Sequence, residues 1–116
     1  MKIIYLLFFV FLYSSEQVFV ACEGNYYQSN GSLWTISDDE VYGYEGNPLG
    51  QVVQSVLVHE DKLYVVVNVP GSIQVFDIHE DGLTLVDYVD TQYSGPREML
   101  IVDDYMYFTN WYTADV

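Results

Sequence analysis

Along the chain, apolar runs of four to eight residues rich in Val, Ile, Tyr and Phe alternate with short clusters of Gly, Pro, Asn and Asp. Alternation on that scale is the mark of β-strands, and no stretch holds a helical period. The pattern predicts strands near Val18–Cys22, Ser32–Ile36, Val41–Tyr44, Val52–Val58, Leu63–Val67, Ile73–Ile78, Leu83–Val89, Glu98–Val102 and Tyr105–Thr109. Pro48, Pro70 and Pro96 all fall between these runs, where a missing N–H costs no ladder hydrogen bond. The chain reads as all-β.

One segment returns along the chain. Val18-Phe19-Val20-Ala21, Leu63-Tyr64-Val65-Val66-Val67-Asn68 and Met106-Tyr107-Phe108-Thr109-Asn110 recur at a spacing of 43 to 45 residues. That is the size of one four-stranded propeller blade. A unit this small cannot bury its own face, so the repeats must stack. The expected fold is a β-propeller with about two and a half four-stranded blades, the N-terminal portion of a larger propeller, because closure typically takes four or more. A self-contained small β domain that covers its edges in another way is the competing architecture.

In such blades the strands run up and down, so their connections sort onto two faces. One face receives Ser37-Asp38-Asp39-Glu40, His59-Glu60-Asp61-Lys62, His79-Glu80-Asp81-Gly82 and Asp103-Asp104. The other receives residues 25–31, with Tyr26 and Tyr27, then 46–50, Asn68-Val69-Pro70-Gly71, Tyr93-Ser94-Gly95-Pro96-Arg97 and Asn110-Trp111-Tyr112. The first is an acidic fringe. The second carries Gly, Pro, Asn, aromatics and the only arginine, and loops on a rigid scaffold are where binding residues concentrate.

Charge sharpens this picture. Seventeen acidic residues face three basic ones, a formal net charge of −14. Such a field repels nucleic acid and anionic membrane, so nucleic-acid binding is excluded. Lys2, the apolar run Ile3 to Tyr13 and Ser14-Ser15 form an export signal over residues 1–15, leaving 16–116 as the blades. The run is too short to span a bilayer. Lipoprotein processing at Val20-Ala21-Cys22, with Cys22 lipidated, is the alternative; otherwise Cys22 is an unpaired thiol packed in a strand. A single cysteine rules out an internal disulfide. The expected location is outside the cytoplasm: periplasmic, cell-surface or extracellular.

These residues resemble the YVTN-repeat β-propellers, related in fold to quinoprotein dehydrogenases. Tyr107-Phe108-Thr109-Asn110-Trp111 is close to the family's Tyr-Val-Thr-Asn strand motif, and Tyr64-Val65-Val66-Val67-Asn68 is a looser copy with one extra residue. Gly95-Pro96-Arg97 echoes the family's Pro-Arg lead-in to an innermost strand. Asn47-Pro48-Leu49-Gly50 with Val52–Val56, and Glu23-Gly24-Asn25 with Asn30–Leu33, are similar to bacterial exported members. The resemblance implies fold and export. It implies no assigned chemistry.

The acidic doublets lack the spaced oxygen ligands of a calcium loop and read as solvated hairpin tips. His59 and His79 each precede Glu-Asp, with no third ligand spaced to complete a metal site. Arg97 suits either a bidentate grip on a carboxylate or phosphate, or a clamp through Glu98 or backbone carbonyls. Trp111, Tyr112, Tyr93, Tyr26 and Tyr27 suit sugar rings or protein contacts, or else packing between blades. Asn68 and Asn110 end matched strands, where a turn role competes with ligand contact. Asn30-Gly31-Ser32 is both a glycosylation sequon and a common hairpin turn.

No nucleophile elbow, Cys–His pair or phosphate loop is present, and neither metal nor cofactor is implied. The expected function is a non-catalytic exported scaffold binding protein or extracellular carbohydrate, with the remaining propeller blades as required partners. The alternatives are part of a propeller enzyme, lyase or quinoprotein-like, with its site at the channel mouth, or a purely structural envelope module.

Overall fold

The computed structural model describes residues 16–112, so the expected export signal over residues 1–15 lies outside the described residues. Within them the chain is all-β, with no helix. Its strands are β1 (Gln17–Cys22), β2 (Ser32–Ser37), β3 (Glu40–Gly43), β4 (Val52–His59), β5 (Lys62–Val69), β6 (Ser72–His79), β7 (Gly82–Asp90), β8 (Pro96–Val102) and β9 (Tyr105–Asn110). Each coincides with a predicted apolar run, no end displaced by more than two residues. Pro96, expected between strands, instead opens β8 opposite Asn110, the first-residue position at which a strand tolerates proline.

Three antiparallel sheets result, in the orders β1-β2-β3, β4-β5-β6-β7 and β8-β9, and none closes on itself. Two of the recurring segments, in β5 and β9, lie second in their sheets beside β4 and β8. The first, in β1, stands at a sheet edge, paired only with β2. Edge position explains a departure from expectation: Cys22, at the end of β1, is exposed rather than packed. Both β4 and β8 carry a register shift near their start, at Val53/Ser55 and Pro96/Met99. Shifts of this kind re-aim side chains, and here Ser55 Oγ donates to the Arg97 carbonyl at 2.7 Å, tying the second sheet to the third.

The core lies between the first and second sheets. Leu33 of β2 meets Val53 of β4, Leu63, Val65 and Val67 of β5, and Phe76 of β6, with Tyr44 edge-to-face on Phe76 at 5.0 Å. Truncating a buried Phe such as this typically costs about 3–5 kcal/mol. The other side of β5 buries Val66 against its cross-strand partner Ile73, and β8 packs against β4 and β5. Burial on both faces explains why β5 reads as a continuous Val run, while β7 towards the outside alternates with acidic and aromatic residues.

The acidic pairs Asp38-Asp39, Glu60-Asp61, Glu80-Asp81 and Asp103-Asp104 form the two-residue turns β2–β3, β4–β5, β6–β7 and β8–β9. Asp38 and Asp39 both take left-handed backbone, with φ of 51° and 63°, as a type I′ hairpin requires. The β5–β6 turn therefore leaves the second sheet at its opposite end.

Candidate functional site

At that opposite end four connections converge. They are the β1–β2 loop, the β5–β6 turn at Pro70-Gly71, the β7–β8 connection over residues 91–95, and the two residues that follow β9. Gly71 has φ of 111°, and a Cβ there would stand only 3.0 Å from the Tyr93 backbone. Glycine therefore lets the β7–β8 connection lie directly against the turn. The Thr91 N–H donates to the Gly71 carbonyl at 3.1 Å, and the Ser94 N–H returns to the Thr91 carbonyl. Gln92 and Tyr93 then take left-handed backbone, which turns the Tyr93 ring outward.

The same connection holds the aromatic pair after β9. The Trp111 N–H donates to the Gly95 carbonyl at 3.0 Å, and the Tyr112 N–H to the Ser94 carbonyl at 2.9 Å. Ser94 Oγ donates to Asn110 Oδ1 at 2.7 Å, so Asn110 anchors this corner and does not line the cavity beside it. Asn68 is buried, and its Nδ2 donates to the Pro96 carbonyl at 2.9 Å. Expected to close its own turn, it instead ties that turn to the start of β8.

Between these elements lies a cavity of about 230 Å³. Tyr26, Tyr93, Trp111 and Tyr112 give it aromatic walls, with Asn68, Val69, Pro70 and Gly95 completing it. The rings are not consumed by packing: Tyr93 is 76% exposed, Tyr112 63%, Trp111 60% and Tyr26 56%. Tyr27, 91% exposed, stacks edge-to-face on Tyr26 at 5.2 Å and extends the aromatic surface outward.

Arg97 stands behind this cavity without lining it. Its guanidinium carbon sits 4.4 Å from the centroid of the Trp111 ring, a cation–π contact. The ion pairs among the described residues are those of Lys62 with Asp61 and Asp77, so Glu98 does not clamp Arg97. No carboxylate lines the cavity, while the acidic turns lie at the far end of the sheets. The site is thus a neutral aromatic hollow braced by one cation.

The sequence pattern placed Tyr26, Tyr27, Asn68, Tyr93, Arg97, Asn110, Trp111 and Tyr112 on one face. The structure brings Tyr26, Asn68, Tyr93, Trp111 and Tyr112 to one cavity, with Arg97, Asn110 and Tyr27 around it. Sequence reasoning put the Asn68–Gly71 and Tyr93–Arg97 loops on this face but did not single out Val69 and Pro70 as walls, or Ser94 and Gly95 as the main-chain holder. The signal was the Gly and Pro content of those two turns. Among the described residues no three His, Cys, Asp or Glu side chains are grouped to hold a metal ion. No family model, no curated protein and no solved structure matches this chain.

Proposed function

We propose that the chain is a run of β-propeller blades of YVTN-repeat type, exported, non-catalytic, and binding carbohydrate through its aromatic loop face. The blade assignment is supported by the recurrence of one segment as the second strand of two sheets, and by the repeated register shift in their first strands. The functional reading rests on one observation: four exposed aromatic rings from three separate segments share one cavity that no carboxylate lines. Rings held on rigid main chain, with hydroxyl and indole N–H groups at their rims, offer flat apolar faces together with polar edges. A neutral sugar ring has the matching character.

The test is retention on insoluble neutral polysaccharides, measured for the native chain and for a Tyr93→Ala, Trp111→Ala double variant. Retention that disappears in the variant, with the melting temperature held, supports the reading. Equal retention of both proteins, or none by either, overturns it.

A further inference from the structure

The turns at the acidic end do not all stand apart. Between the first sheet and the β6–β7 hairpin lies a cleft of about 940 Å³, four times the volume of the aromatic cavity. Asp38 and Glu45 border it from the first sheet and its exit, Glu80 and Asp81 from the hairpin, and no Lys or Arg lines it. Gln17 Nε2 donates to the His79 carbonyl at 3.0 Å and pins the hairpin to β1. The cleft is therefore bounded by a tertiary contact and not by two independent tips.

A second observation comes from the inner face of β2. Alternation along this strand turns Leu33, Thr35 and Ser37 towards the second sheet. Leu33 belongs to the core; Thr35 and Ser37, each only 8% exposed, follow where the face meets the cleft. Neither hydroxyl has a side-chain hydrogen-bond partner among the described residues. Unlike Ser72 and Thr91, whose hydroxyls are sealed without partners, these two open into the cleft. Hydroxyls on an otherwise enclosed face that open into a cleft are free to accept from a ligand seated there.

The charge distribution narrows the ligand. The carboxylates line different walls, and among the described residues no three metal-ligating side chains are grouped. A point cation would therefore find no shell of converging oxygens. An elongated cation with several charges would meet a carboxylate near each of them. Tyr42 and Tyr44 line the cleft, and Leu83 and Leu85 offer apolar surface for a methylene chain. The volume falls in the range of small-molecule sites. We propose that this cleft binds an aliphatic polyamine, its ammonium groups meeting Asp38, Glu80 and Asp81 while the Thr35 and Ser37 hydroxyls accept from them.

The experiment is calorimetric titration of the chain with spermidine at near-physiological salt, repeated in the presence of Mg²⁺. One variant carries Asp38→Asn with Glu80→Gln. A control carries Asp103→Asn with Asp104→Asn, which removes the same charge from a turn outside the cleft. The expected result is one spermidine per chain, weakened at least tenfold in the first variant and less than twofold in the control, with Mg²⁺ a poor competitor. Thr35→Val, which keeps the shape and removes a hydroxyl, should weaken binding severalfold at an unchanged melting temperature. Equal weakening in the two charge variants, displacement by equimolar Mg²⁺, or no binding by the native chain would overturn the proposal. The aromatic face takes no part in any of these readouts.

Discussion

Arg97 holds its guanidinium carbon 4.4 Å from the centre of the Trp111 ring, so the one arginine of the chain braces an aromatic wall and makes no ion pair among the described residues. In a protein of net charge −14 an unpaired arginine would be expected to attract a carboxylate. Its stem begins at the register shift near the start of β8, and Trp111 follows the end of β9, the neighbouring strand. The pair is therefore set by the geometry of one hairpin.

This relationship can be broken without unfolding the chain. Arg97→Ala should lower stability by no more than about 1 kcal/mol, the range of exposed cation–π pairs. In a Trp34→Phe background, which leaves Trp111 as the sole tryptophan, it should also lower the fluorescence anisotropy of the indole. Arg97→Lys, with a smaller and more strongly hydrated head, should restore anisotropy only in part. An unchanged anisotropy in Arg97→Ala would mean that the hydrogen bond from the Trp111 N–H to Gly95 holds the ring unaided.

Asn68 has the opposite profile, structural before functional. Its buried amide satisfies the Pro96 carbonyl, and Asn68→Ala leaves that acceptor without its partner. The expected loss is about 1–3 kcal/mol, read as a lower urea midpoint. Asn110→Ala, at an exposed position, should cost less, about 0.5–1.5 kcal/mol.

All nine strands were legible in the sequence because alternation and turn residues act over a few positions. The two-faced sorting of connections was legible for the same reason, since it follows from strand direction alone. What could not be read were contacts between distant segments. Asn68 looked like a turn closer because its partner lies 28 residues away. Arg97 has an acidic neighbour in Glu98, yet its contact is with an aromatic ring beyond the next turn. The acidic tips looked solvated one by one, and only the packing of β6–β7 near the first sheet joins two of them across a cleft. Cys22 looked packed because its strand matches a buried repeat, whereas β1 is an edge.

The β2–β3 turn predicts a gain in stability. Asp39 occupies left-handed backbone at φ 63°, where glycine is free of the Cβ penalty. Asp39→Gly should stabilise the chain by about 0.5–1 kcal/mol, measured as a rise in thermal midpoint. Asp39 does not line the acidic cleft, so polyamine affinity should be unaffected.

Alkaline pH should weaken the β5–β6 pair. Lys62 lies directly opposite Asp77, and its hydrogen bond to that carboxylate holds the ammonium above its ordinary value of 10.5. A raised lysine stabilises the fold fully below its unfolded value, and that contribution is lost as pH rises through the raised one. Urea midpoints of the native chain should therefore fall towards those of Asp77→Asn above pH 10.5, with the gap between them constant from neutral pH up to that value. A gap independent of pH throughout would show that the pair contributes nothing through ionisation.

The central claim is that the aromatic face receives a neutral sugar. Its most direct test is the emission of Trp111 in the Trp34→Phe variant, titrated with neutral oligosaccharides of differing linkage. The account predicts a saturable change for at least one of them, abolished by Tyr93→Ala. A flat response across the series, from a folded protein, would contradict it.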